Sequence, residues 1–154
     1  MFDFFKKKKN ENKSSGLEPV DNWSNVVLKG IKRYDSLTST ERIWFNTRVL
    51  IDSTNDGGLI SYYYNSGAEN VYDAIEDIKS LGFDSVAKLI KKYNEILFKG
   101  NIVPKDIAER NKFIDKLDEQ TDNSLQEIEF DLTSLVDDLE KQLERFLKEE
   151  KLID

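Results

Sequence analysis

Asp52, Asp56 and Gly57 fall at the first, fifth and sixth positions of what begins as a calcium-binding loop, with Leu59 at the eighth. Such a loop surrounds its cation with oxygen ligands and needs a bidentate carboxylate at the twelfth position. Tyr63 stands there, and Thr54 occupies the third position, where a carboxylate or amide is required. The charges that set affinity are missing, so Asn55-Asp56-Gly57-Gly58 reads as a glycine turn, and no metal is expected. Tyr62, Tyr63 and Tyr64 follow it and have the faces to stack on nucleobases. Stacking on nucleic acid needs a basic groove, whereas the neighbouring charges are mostly acidic, so direct nucleic-acid binding is not expected. At least two of the three rings are expected in the core, which leaves one for a contact. Asn65 and Arg110, polar residues in apolar surroundings, are assigned to capping and loop anchoring.

Carboxylates supply the second pattern. Glu69, Asp73, Glu76 and Asp77 recur at i, i+4, i+7 and i+8, which on a helix places them on one face opposite the apolar stripe. Like charges at that spacing repel by a few tenths of a kcal/mol (roughly) per pair, a cost that nothing local requires. Asp118, Glu119, Asp122, Glu127, Glu129 and Asp131 form a second group ahead of Asp137, Asp138, Glu140 and Glu144. Carboxylates about 5 to 6 Å apart on a helix are a coarse match to phosphates spaced about 3.4 Å along a DNA strand. A merely solvated face is the plainer alternative. A hydrolytic carboxylate pair needs two acids in one cleft with separated pKa values, and among thirty acids some pair always looks suitable. The chain has neither histidine nor cysteine, which removes the commonest general base, thiol nucleophiles and thiolate metal sites. No catalysis and no cofactor are therefore expected. The competing reading is a ligand-binding protein or enzyme using Asp52, Asp56, Tyr62 and Asn65 around the turn.

The elements that must carry these residues are helical. The 154 residues suit one domain, and their net charge of -7 is concentrated at one end. Residues 1 to 13 hold five lysines and two acids, whereas residues 115 to 154 hold fourteen acids and five bases. Residues 1–19, with Phe2, Phe4 and Phe5 ahead of Lys6 to Lys9, read as a flexible basic tail without the charge order of an export signal. No run of residues is apolar enough to span a bilayer, so a cytoplasmic protein away from membranes is expected. Residues 20–154 form the domain. Asp21 or Asn22 can cap a first helix bearing Trp23, Val26, Val27, Ile31 and Tyr34. Thr38 and Glu41 have capping-box spacing, and the helix they open should stop at Gly57-Gly58. Further helices are expected from about Ser66, from a cap at Asp84, from Pro104 and from about Thr133, with Phe130-Asp131-Leu132 weakly extended. The fold class is all-α, a single globular multi-helix domain.

Leu37-Thr38, Glu41-Arg42, Asn55, Gly57-Gly58-Leu59, Tyr62 to Asn65, Leu81-Gly82 and Arg110 together give the chain its family character. Over roughly Ser36 to Leu117 it resembles the bacterial DNA-mimic protein family, small acidic helical domains. That resemblance implies an all-helical homodimer whose carboxylates replace phosphates on the DNA-binding surface of a transcriptional regulator or other basic protein. The carboxylates expected to meet such a partner are Glu69, Asp73, Glu76, Asp77, Asp118, Glu119, Asp122, Glu127 and Glu129. An immunity-type inhibitor of a basic toxin would present the same kind of face.

Overall fold

The computed structural model describes residues 22–154, and the expectations for the basic tail and for Asp21 as a cap lie outside them. Seven α-helices follow in order: α1 (Asn22–Lys32), α2 (Ser39–Gly57), α3 (Leu59–Tyr63), α4 (Val71–Ser80), α5 (Asp84–Leu97), α6 (Ile107–Ile114) and α7 (Glu119–Glu149). Short 3-10 turns at Tyr34–Ser36 and Ala68–Asn70 precede α2 and α4, and no strand occurs among the described residues. The all-α expectation holds.

Helix α2 is the centre of the bundle because it is buried on most of its circumference. It packs against α1, α3, α4 and α7 and inserts Trp44, Phe45, Val49, Leu50 and Ile51 into the core. Its start is fixed locally: Thr38 Oγ1 accepts from the Glu41 N–H at 3.2 Å while the Glu41 carboxylate accepts from the Thr38 N–H at 2.9 Å. Its end is fixed by Gly58, whose φ of 81° lies where side chains are strained. Gly30 serves packing instead, since a Cβ there would collide with the Phe45 ring where α1 crosses α2.

Helix α7 closes the bundle. Leu125, Ile128, Leu132, Val136, Leu139, Leu143 and Leu147 are all buried, three or four residues apart, so one seam faces the bundle, where α7 packs on α2 and α5. At about 1.5 Å per residue the helix is roughly 46 Å long. This corrects two expectations: the last helix starts at Glu119, not near Thr133, and Phe130-Asp131-Leu132 are helical. Leu132 belongs to the seam, and tertiary packing outweighs the weak extended propensity of the tripeptide.

Three other starts differ from expectation. Phe83, not Asp84, is the N-cap of α5, and Asp84 instead places its charge in the first turn, against the positive end of the helix. Asp106 opens α6 by accepting from the Ala108 N–H at 2.7 Å, so Pro104 lies before the helix. Helix α4 begins only at Val71, after the Ala68–Asn70 turn, which removes Glu69 from it.

Candidate protein-binding face

The glycine turn is a hub of packing. Tyr62 and Tyr63 are buried and Tyr64 is exposed, as the division of the three rings required. Tyr63 lies parallel to Tyr93 at 5.7 Å between centroids and edge-on to Phe98 at 5.4 Å, and its hydroxyl donates to Asn94 Oδ1. The Tyr62 hydroxyl donates to the Gly67 carbonyl at 3.2 Å. Burial holds both phenols in the neutral form and pushes their pKa values far above the usual range. Arg110 fastens the same region. Its buried guanidinium donates to the carbonyls of Tyr63, Asn65, Pro104 and Lys105 at 2.8 to 3.0 Å, which confirms loop anchoring as its work. Asn65 donates to the Ser61 carbonyl at 2.6 Å.

The competing constellation around the turn does not converge. Asp52 is half-buried beside Arg48, 3.4 Å away, and burial raises its pKa against the pull of that guanidinium. Asn55 and Asp56 point to solvent at the end of α2, whereas Tyr62 is inside. Tyr63 fills core space at the position where a calcium loop would need a carboxylate. No cluster of three carboxylates suited to a metal occurs among the described residues.

The expected acidic row on α4 does not face water. Asp77 is 2 % exposed, with Arg42 Nη2 at 2.7 Å and Asn46 Nδ2 at 2.9 Å from its oxygens. Asn46 also donates to the Tyr34 hydroxyl at 2.7 Å, and Tyr34 donates to Asp73 at 2.8 Å. Asp73 and Asp77 are thus joined in one polar network between α2 and α4. Glu69 accepts from the Gly67 N–H at 2.7 Å. Of the four, Glu76 alone remains an exposed carboxylate with no partner among the described residues. Internal hydrogen bonding removes the repulsion that made the row look costly.

The carboxylates of α7 present the opposite picture. From Leu117 to Glu140 the chain carries nine acids and no lysine or arginine. Asp118, Glu119, Asp122, Glu127, Asp131, Asp137 and Asp138 are exposed. Asp118 is the N-cap, and its bond from the Thr121 N–H at 2.7 Å holds its carboxyl below the usual range. Asp122 accepts from the Gln126 amide at 2.8 Å. The ion pairs of this helix among the described residues are Arg48–Glu140 at 2.6 Å and Lys148–Glu144 at 3.2 Å, so the exposed acids ahead of Glu140 are not neutralised by bases. Glu127, Asp131 and Asp138 lie at i, i+4 and i+11, one line spanning about 16 Å of the helix.

Two features of this face were not among the expected site residues. Phe130 is 80 % exposed in the middle of the acids. Near the other end, Asp137, Glu140 and Glu144 at i, i+3 and i+7 border a groove of about 1020 Å³ floored by Trp23, Trp44 and Leu147. Neither signal was readable locally, because the groove unites α1, α2, the end of α7 and the residues beyond it. Glu129 is also reassigned: it is half-buried, and Oε1 accepts from the Ile60 N–H at 3.0 Å and from the Tyr93 hydroxyl at 3.0 Å.

The described residues form an all-α bundle in which Tyr62, Tyr63 and Arg110 are spent on packing and α7 carries exposed carboxylates on its surface. The chain belongs to the DMP19-like protein family, whose model matches residues 35–150. The resemblance to the DNA-mimic family read from the glycine turn and its flanking residues is thereby confirmed. No curated protein and no solved structure matches the chain. No helix among the described residues is long and apolar enough to cross a membrane.

Proposed function

We propose that this chain is a non-catalytic, cytoplasmic interaction module that occupies the DNA-binding surface of a basic protein, such as a transcriptional regulator. The observation that carries the reading is the uninterrupted acidity of Leu117 to Glu140, displayed along an exposed helix face. From Glu119 to Asp138 the exposed acids span about 28 Å of the helix, most of one turn of duplex DNA. A DNA-binding surface of lysines and arginines that normally spans a groove meets carboxylates over the same length. Phe130 adds an apolar contact at the centre of the face, where aromatic anchors contribute most to protein interfaces. Family membership supports the mimic reading.

Competition provides the test. A basic partner captured on the chain should be released by rising salt and by added duplex DNA. Replacing Glu127, Asp131, Asp137 and Asp138 with the matching amides should weaken that capture at least tenfold while the fold is retained. Capture insensitive to salt and DNA would remove the acidic helix from the mechanism.

A further inference from the structure

Phe130 stands at the rim of a cleft of about 450 Å³ where α7 meets α3 and α5. The buried side chains of Tyr93 and Leu125 form its floor, Ile60 adds apolar surface, and Asp122 and Glu129 supply two carboxylates. Building on the reading of the partner as a basic DNA-binding protein, we propose that this cleft seats one arginine side chain of that partner, its guanidinium stacked on the Phe130 ring within reach of both carboxylates, and that it discriminates against lysine. Arginine is the side chain that such proteins send to guanine edges and into narrow minor grooves. Its capture here would withdraw a base-reading residue in addition to those that bind phosphate.

The charges of the cleft choose its occupant. Among the described residues no lysine or arginine lines it, so the two carboxylates have no cation beside them there. Each has one oxygen engaged within the fold: Asp122 Oδ2 accepts from the Gln126 amide at 2.8 Å, and Glu129 Oε1 accepts from the Ile60 N–H and the Tyr93 hydroxyl, both at 3.0 Å. Asp122 Oδ1 and Glu129 Oε2 accept no hydrogen bond among the described residues. An apolar side chain in the cleft would strip water from these acceptors and return nothing. An ammonium group would bring charge, but it is compact and strongly hydrated, and it has no flat face to lay on a ring. A guanidinium is planar and weakly hydrated, and it donates from its edge while its face stacks, so it satisfies the ring and the carboxylates together. Phe130 is 80 % exposed, which leaves its ring open to a side chain arriving from solvent. Small-molecule sites range over about 300–1,000 Å³, and a cleft near the low end of that range admits one long side chain but not a helix.

Two fluorescent lysine-rich peptides, identical except for arginine or lysine at the central position, present the same charge to the full chain and isolate the preference. In anisotropy titrations the arginine peptide should bind about fivefold more tightly, the effect of one accessible cation–π contact. Phe130→Leu keeps an apolar side chain on the helix surface and removes the ring. In that variant the preference should disappear while the lysine peptide binds as before. Equal affinity of the two peptides for the parent chain overturns the proposal, as does a preference that survives Phe130→Leu or a failure of either peptide to bind. Partner capture that ignores salt and duplex DNA, with the arginine preference intact, would remove the mimic reading and leave the cleft standing. Capture released by salt and DNA, with the two peptides bound equally, would do the reverse.

Discussion

Glu129 of α7 accepts a hydrogen bond from the backbone N–H of Ile60, 69 residues earlier, at 3.0 Å. The acidic helix and the glycine turn are therefore one mechanical unit. Ile60 lies in the first turn of α3, where backbone N–H groups have no helical acceptor, and the carboxylate supplies one. The same oxygen takes the Tyr93 hydroxyl at 3.0 Å, which ties α5 to the junction. A carboxylate of the acidic helix thus holds together the elements behind its exposed face.

Gly58 and Glu129 should be energetically coupled. A Cβ at Gly58 would lie 3.0 Å from Glu129 Oε2, and the φ of 81° there is unfavourable for any side chain. Gly58→Ala should cost about 1–3 kcal/mol, and Glu129→Gln about 1–2 kcal/mol through loss of charge-assisted bonds. Urea midpoints of both single variants and the double variant should show non-additivity, because both changes act on one contact. Simple addition would mean that the turn and α7 move independently.

Asp77 and its neighbour Glu76 should behave in opposite ways. Asp77→Ala leaves Arg42 and Asn46 without their shared acceptor and should destabilise the fold by about 1–3 kcal/mol. Glu76→Gln alters an exposed charge and should stay within about 0.5 kcal/mol of the parent. Thermal unfolding of the two variants decides the matter. Similar small effects would return Asp77 to the list of surface acids.

The contrast shows which parts of the fold were readable from residue order. Thr38 and Glu41 interact three positions apart, so their capping box followed from spacing alone. The buried tyrosine pair and the anchoring role of Arg110 followed from residue type. Asp77 did not, because what neutralises it is Arg42, 35 residues away on α2, and a helical wheel shows a face without showing what packs on it. Glu129 was misplaced for the same reason. The length of α7 was missed through a local cue, Phe130-Asp131-Leu132, although the buried seam from Leu125 to Leu147 passes through it unbroken. The acidity of the last quarter was legible from charge counts, and its display along one exposed helix was not.

Arg110→Lys should be far from conservative. The guanidinium reaches four carbonyls from two separate segments, and an ammonium group offers three donors from a single point. Loss of two charge-assisted bonds at a fully buried site should cost at least about 3 kcal/mol. Hydrogen exchange should then show faster opening of the amides around Tyr63 and Asn65 than of those in α7. Uniform acceleration across both regions would indicate a global rather than a local clamp.

Alkaline titration should separate the buried phenols from the exposed ones. Burial is the main cause that raises Tyr34, Tyr62, Tyr63 and Tyr93 above the ordinary value of 10.0, with Glu129 adding to it at Tyr93. In the unfolded chain these groups would ionise near pH 10.0, so below that pH their contribution to stability is complete. As pH rises further, the unfolded chain gives up protons that the fold retains, and stability declines. Phenolate absorbance of the six tyrosines should rise in two stages, a gradual one for exposed rings and a steep one that coincides with loss of helical circular dichroism. Tyr63→Phe should shrink the steep stage and also lower stability at neutral pH by about 1–3 kcal/mol, because Asn94 Oδ1 loses its donor inside the core. Smooth ionisation of all six rings with the helices intact would mean that solvent reaches Tyr63 and Tyr93 in the folded protein, and the packed hub at the glycine turn would have to be abandoned.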